Sequence, residues 1–455
     1  MTKKCYNIGC MKKAPTAAIY TLGCRVNQYE SEAVAAHLRS RGIDAATAES
    51  PGDVCDIYIL NTCAVTAESS AKSRKLLRRL RRINPRAVIA AVGCDAQLEP
   101  GELSVAGADI VAGSRGKLEA AERAAELAER RLSESASEDA PPAPVIAVKP
   151  ADQLPPEPMR IEGFGRTRAY IKIQDGCDGS CAYCIIPKLR GNVTSRPKDE
   201  VVAEVEAVAK SGCREIVLTG IETASYEHDL PGLVAKVAEI EGIERVRLSS
   251  LDPSYLRPAV VDRFAKVEKL MPHYHISLQS GSSRVLAAMR RKYNAEQAMR
   301  NIQHLRHAIP GVKLTADILT CFPGETDRDF METVEFARKV EFYHMHVFTY
   351  SPRPGTEAAN LPELPPELRA ERSRLLRELA EELRVRHHRR AVELGEPVEI
   401  LFERQSGEYM TGHTRDFMEA AVKIDGARSA DELRGEILLA RPVRADKKHI
   451  VCELL

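Results

Sequence analysis

Twice along the chain, short runs of β-forming residues alternate with charged amphipathic stretches, and this double alternation constrains the fold more than any other feature. In the first stretch the runs are Ala18 to Leu22, Asp56 to Leu60, Ala87 to Val92 and Asp109 to Ala112, each followed by a helical pattern. Strands joined through helices pair in parallel, because each crossover returns the chain to the same end of the sheet. Residues 14–135 are therefore expected to form an N-terminal parallel α/β domain. From Leu132 to Glu157 the pattern stops and prolines crowd together, which predicts an extended linker over 136–160. The second alternation has runs at Ala169 to Ile173, Glu215 to Thr219, Arg245 to Leu248, Tyr274 to Leu278, Lys313 to Leu319 and His346 to Tyr350. Six runs with helical spacers predict a partial (β/α)6 barrel over 161–394, with its chemistry behind the C-terminal strand ends. Pro366 opens a helix with Leu368, Leu375, Leu376, Leu379 and Leu383 on one face, ending near Gly395. Residues 395–455 carry short runs such as Val398 to Phe402 and Glu436 to Leu439, and fit a small C-terminal β-barrel.

Composition narrows the class. No stretch approaches the roughly 20 apolar residues of a membrane span, and the N-terminus lacks the apolar core of a secretory signal. A cytoplasmic protein without a membrane segment is expected. The net charge of +1 means that any nucleic-acid affinity must come from local patches. Twelve cysteines in a reducing compartment favour metal or catalytic thiolates over disulfides.

Three of them, Cys177, Cys181 and Cys184, make a CxxxCxxC just past the first run of the barrel. A structural zinc would want a fourth Cys or His at short range, and the nearest cysteine, Cys213, is well downstream. A [4Fe–4S] cluster held by three cysteines leaves one iron open to chelate S-adenosylmethionine, whose reductive cleavage yields a carbon radical. A second trio is dispersed: Cys24, Cys63 and Cys94 each follow one of the first three strand runs, whose ends share one edge of a parallel sheet. Two readings of this trio stay open, a second three-thiolate iron–sulfur site or free cysteines buried as small hydrophobes. Cys55, Cys213, Cys321 and Cys452 read as structural, and Cys5 and Cys10 lie in a polar tail without an assignment. Between Ala71 and Arg86 stand Lys72, Arg74, Lys75, Arg78, Arg79, Arg81, Arg82 and Arg86, with no acid, around a stripe of Leu76, Leu77, Leu80 and Ile83. Such a helix is either a solvated face or a phosphate-binding one. His387 to Arg390 offers a weaker basic patch.

With these residues in view, the whole chain resembles the methylthiotransferases, radical S-adenosylmethionine (SAM) enzymes with two iron–sulfur clusters. Further matching motifs are Ala169 to Gly176, Leu218-Thr219-Gly220, Ser249-Ser250, His275 to Gly281, Phe322-Pro323-Gly324-Glu325 and Tyr350 to Thr356. The resemblance implies a methylthiotransferase domain, a radical SAM barrel and a C-terminal TRAM domain that binds RNA. It implies auxiliary-cluster ligands Cys24, Cys63 and Cys94, radical-cluster ligands Cys177, Cys181 and Cys184, and SAM-lining residues Glu222, Ser249, Ser250, Gln279 and Asp317. Arg78, Arg79, Arg81 and Arg82 become the expected tRNA contacts. Arg25-Val26-Asn27 after the first cysteine looks like the branch that acts on N6-threonylcarbamoyladenosine in tRNA, at position 37 on the 3′ side of the anticodon. The isopentenyladenosine and ribosomal-protein branches are the alternatives. An electron donor such as flavodoxin or ferredoxin and a sulfur source are implied as partners. Cys321 stands where the family usually has glycine, and Asp95 where it often has an aromatic residue.

Overall fold

The computed structural model describes residues 14–133, 143–424 and 428–455; Cys5, Cys10 and residues 136–142 of the expected linker lie outside the described residues. The chain divides into two compact units. The first comprises residues up to 23, 30–64 and 68–159, and the second 24–29, 65–67 and 160–455.

The first unit is built on a parallel sheet of β1 (Thr16–Thr21), β2 (Asp44–Ala48), β3 (Ile57–Thr62), β4 (Val88–Gly93), β5 (Ile110–Ala112) and β6 (Val145–Ala147), in the order β2-β1-β3-β4-β5-β6. Alternation along the strands separates two apolar faces. Ala17, Ile19, Ile59, Ala90 and Val92 pack with Val34, Ala35 and Leu38 and with the alanine stripe of helix Lys117–Ser133. Ala18, Tyr20, Leu60, Ile89 and Ala91 pack with Leu77 and Leu80. Here α1 is Arg25–Ser40 and α2 is Ala67–Ile83. Two strands differ from expectation. β2 follows α1, so the cysteine-bearing loops follow the first, third and fourth strands. β6 lies inside the expected linker and pairs with β5 from Ile110↔Val145 to Ala112↔Ala147, so the first unit runs on to Met159.

In the second unit, β7 (Arg168–Lys172) is followed by a two-residue hairpin of β8 (Gln174–Asp175) and β9 (Thr194–Ser195), then by β10 (Glu215–Thr219), β11 (Arg245–Leu248), β12 (His273–Gln279), β13 (Lys313–Thr320) and β14 (His344–Thr349). The parallel strands form two ladders, β11-β10-β7 and β12-β13-β14. Single parallel bridges, Val246↔Leu270 and Leu251↔Ile276, join them into the six-stranded partial barrel. Helix Pro366–Leu394 ends on Gly395 at a φ of 61°. Leu376, Leu379 and Leu383 form its buried face, whereas Leu375, expected on that face, is exposed. The tail closes a barrel β15-β16-β17-β19-β18 from β15 (Val398–Ser406), β16 (Tyr409–Thr414), β17 (Glu419–Lys423), β18 (Ile437–Ala445) and β19 (Ile450–Leu454). It belongs to the same compact unit as the partial barrel, with no division near 395. Among the described residues no helix is long and apolar enough to cross a membrane.

Candidate active site

The CxxxCxxC loop starts one residue after β8, at Gly176, whose φ is 76°. A Cβ there would stand 2.0 Å from the Asn192 carbonyl oxygen, so only glycine allows the loop to fold back on the β9 arm. Gln174 ties this loop to the next strand end: its amide donates to the Gly176 carbonyl at 2.8 Å, and its Oε1 accepts from the Glu222 N–H at 2.9 Å. All three thiols are half-buried. The Gly179 N–H donates to Cys177 Sγ at 3.3 Å and Arg291 Nη1 to Cys181 Sγ at 3.2 Å. Burial pushes the Cys177 thiol up and the Cys184 thiol up to about 12, so loading a metal centre here must expel protons. Among the described residues no three His, Cys, Asp or Glu side chains are close enough to hold a single metal ion. A four-iron cluster spreads its thiolates wider than one ion does. The donor set fits it: three soft ligands on one loop, two hydrogen bonds to sulfur, and a glycine at 179 where a Cβ would lie 3.1 Å from Cys177 Sγ.

Around the loop, Glu222 follows β10, Ser249 and Ser250 follow β11, and Gln279 ends β12 at a φ of 65°. The Glu222 carboxyl is held up to about 7, first by burial and then by Asp252, with Arg291 working the other way. Its Oε1 is buried and meets no hydrogen-bond donor among the described residues. Asp317 differs from the other four. It lies inside β13, three residues before the strand end, with a carboxylate oxygen 3.2 Å from His275 Nε2. Sequence reasoning passed over Arg291, which also pairs with Asp252 and lies 5.3 Å from the Tyr293 ring centroid. The Arg290-Arg291-Lys292 triplet was its available signal.

Lower in the barrel the inner face is densely charged. Glu215 accepts from Arg247 at 2.7 Å and lies 3.7 Å from both Arg168 and Arg245. Although burial opposes its charge, these guanidiniums hold the Glu215 carboxyl below its ordinary range. Phe417, between β16 and β17, stacks on His273 at 4.3 Å and on His413 at 4.5 Å, with Arg168 and Arg247 about its ring at 5.1 and 5.0 Å. The turn of the small barrel thus seals the floor of the large one.

In the first unit, Cys63 and Cys94 follow the paired ends of β3 and β4, where Thr62 is in register with Gly93. Gly93 has a φ of 99°, and a Cβ on it would lie 2.5 Å from Asn61 Oδ1 and 2.9 Å from the Thr62 carbonyl oxygen. The Thr62 hydroxyl accepts from the Asp95 and Ala96 N–H groups at 3.1 and 3.2 Å, capping helix α3 (Cys94–Leu98). The two thiol-bearing loops are therefore packed on each other. Cys24 follows β1, whose strand pairs with β3, and belongs to the second unit. On α2, Arg78, Arg79 and Arg82 are exposed. Arg81 is not available as expected: its guanidinium donates to the carbonyls of Pro85, Ala87 and Gly107 and to Asp109.

A six-stranded parallel partial barrel with a three-thiol loop behind its first strand defines a protein of the radical SAM class. Residues 171–337 match the family described as Radical SAM superfamily, and residues 16–113 match Uncharacterized protein family UPF0004. The chain is 37% identical to the Threonylcarbamoyladenosine tRNA methylthiotransferase MtaB of Bacillus subtilis, over 76% of each chain. It is 35% identical to the tRNA-2-methylthio-N(6)-dimethylallyladenosine synthase of Cereibacter sphaeroides, over 79% of this chain and 81% of the relative. The radical S-adenosylmethionine methyltransferase TsrM from Kitasatospora setae shares the fold, with a TM-score of 0.54 at 14% identity over 76% of this chain and 77% of that one. The chain belongs to the methylthiotransferase family of radical SAM enzymes.

Proposed function

We propose that this enzyme converts N6-threonylcarbamoyladenosine at position 37 of tRNA to its 2-methylthio derivative. The observation that carries the reading is the 37% identity to a threonylcarbamoyladenosine tRNA methylthiotransferase, in a chain that places three thiols behind the first barrel strand. A [4Fe–4S] cluster held by Cys177, Cys181 and Cys184 would supply the electron that cleaves SAM to a carbon radical, which an aromatic C–H without useful acidity requires. The chain's own groups complete the site. Glu222, with an unmet buried acceptor, suits the amino N–H groups of SAM, while Ser249, Ser250 and Gln279 supply polar lining at the strand ends. Arg291 holds positive charge against Cys181. Cys63 and Cys94, on loops packed together, and Cys24 suit a second cluster as donors. The exposed Arg78, Arg79 and Arg82 suit a phosphate backbone, joined by the C-terminal barrel. Action on tRNA fits a cytoplasmic enzyme that draws on an external electron donor and sulfur source.

The 35% identity to a dimethylallyladenosine enzyme favours isopentenyl-type tRNA as the second reading. Anaerobic incubation of the reconstituted enzyme with methyl-labelled SAM and separate tRNA pools bearing each modified adenosine tests both. Label in the threonylcarbamoyladenosine pool supports the proposal. Label in the isopentenyladenosine pool alone, or in ribosomal protein, refutes it.

A further inference from the structure

Among the described residues, Arg25, at the start of α1 and against the Tyr170 ring, has no counter-ion. Arg168 is paired with Glu403 at 3.1 Å, Arg247 with Glu215, Arg291 with Asp252, and Asp317 with His275. Arg25, in the second unit, points its guanidinium at the Tyr170 ring, 6.0 Å from the centroid. Among the described residues it makes no ion pair and no hydrogen bond, although five N–H donors in a planar fork are made to hold a carboxylate. A carboxylate arriving here would find those donors unused.

Next to this cation lies an aromatic surface. His344, His346 and Phe348 alternate along β14 and so share its inner face, where Asp317 is in register with His346. His346 stands with its ring centroid 4.6 Å from that of His344 and 6.5 Å from that of Phe348. Phe348 is 41% exposed, unusual for a phenylalanine inside a barrel. Burial first, with Asp317 working the other way, lowers His346 below the ordinary imidazole range and holds His344 down to about 4. Neutral rings with open faces are what a purine stacks on.

We propose that Arg25 is the receptor for the carboxylate of the threonylcarbamoyl group, acting beside a stacking surface of His346 and Phe348, and that it sets the choice of modified adenosine. The inference rests on the substrate reading above and deepens it. An isopentenyl group brings no charge, so it would leave the half-buried guanidinium unpaired, and a polar site left unpaired rejects the analogue that lacks its partner.

The test is equilibrium binding of the reconstituted holoenzyme to three anticodon stem-loops. They carry threonylcarbamoyladenosine, its carboxyl methyl ester, and isopentenyladenosine. Wild type should prefer the free acid over the ester by about tenfold to a hundredfold, the worth of a charge-assisted hydrogen-bonded pair. Arg25→Gln should bring that ratio to within about twofold, and Arg25→Lys, which keeps the charge but not the fork, should restore part of it. A ratio unchanged in Arg25→Gln overturns the assignment. So does weakened SAM affinity with the ratio intact, which would make the bound carboxylate that of the methionyl group. Loss of iron from both Arg25 variants alike would assign the residue to the neighbouring thiol site and overturn it as well. A wild type that prefers the isopentenyl stem-loop instead refutes the substrate reading itself, and the role of Arg25 with it.

Discussion

The packing of the Cys63 and Cys94 loops can be broken at one atom. Gly93 combines a φ of 99° with a ψ of −157°, a region open essentially to glycine alone. Its absent Cβ is also the space that Asn61 Oδ1 and the Thr62 carbonyl occupy, at 2.5 and 2.9 Å. Gly93→Ala therefore costs twice: about 1–3 kcal/mol for the backbone and about 1–3 kcal/mol for forced overlap, or about 2–6 kcal/mol in all. Gly116→Ala is the control, with a φ of 92° and nothing within 4 Å of the added Cβ, so it carries only strain of about 1–2 kcal/mol. Denaturant unfolding of both variants isolates the overlap, and iron analysis reads its effect on the thiols. Gly93→Ala should unfold more easily than Gly116→Ala and, if the Cys24, Cys63 and Cys94 trio holds a second cluster, should lose about half its iron. Equal stabilities with full iron in both would refute the idea that this close approach positions the thiols.

Three further outcomes follow from specific contacts. The Glu222 carboxyl is held up to about 7, so the carboxylate that accepts from the SAM amino group is present above that pH and lost below it; affinity should fall from about pH 8 to about pH 6 in wild type and stay flat in Glu222→Gln by calorimetry. Burial raises the Glu403 carboxyl, but Arg168 and His413 outweigh it and hold it at about 2, below an ordinary 4.5. A depressed acid stabilises above its unfolded value, so up to about 3 kcal/mol should be lost as pH falls from about 4.5 to about 2, and Glu403→Gln should blunt that acid limb of the thermal midpoint. Replacing Arg78, Arg79 and Arg82 with Gln should reduce the salt slope of tRNA binding by up to about three. Arg81→Gln should leave that slope alone and cost about 1–3 kcal/mol of stability through its unmet carbonyls.

What could be read from the sequence, and what could not, divides along physical lines. Glu215–Thr219 and Arg245–Leu248 are strands at the bounds their sequence suggested, because each follows a turn and alternates or runs apolar. Asp44–Ala48 reads DAATA, with little β-propensity, and becomes a strand only because β1 offers a parallel edge. Val145–Ala147 hid among prolines, which an edge strand tolerates and a central one does not. Arg81 and Arg78 look alike in a charge run, yet Arg81 lies one helical turn beyond the buried Leu77 and so faces inward. Cys321, standing where the family usually has glycine, takes a φ of 63°, which explains the usual glycine. In the sequence Arg25 is legible only as part of the Arg25-Val26-Asn27 branch motif; its unpaired place among paired charges is what marks it as a site.

The central claim is the identity of the modified nucleoside, and mass spectrometry of digested tRNA from a strain lacking this enzyme reads it directly. The account predicts that N6-threonylcarbamoyladenosine accumulates, that its 2-methylthio form disappears, and that wild type restores it while a Cys177, Cys181 and Cys184 triple alanine variant does not. Loss of 2-methylthio-isopentenyladenosine with the threonylcarbamoyl pool unchanged would contradict it.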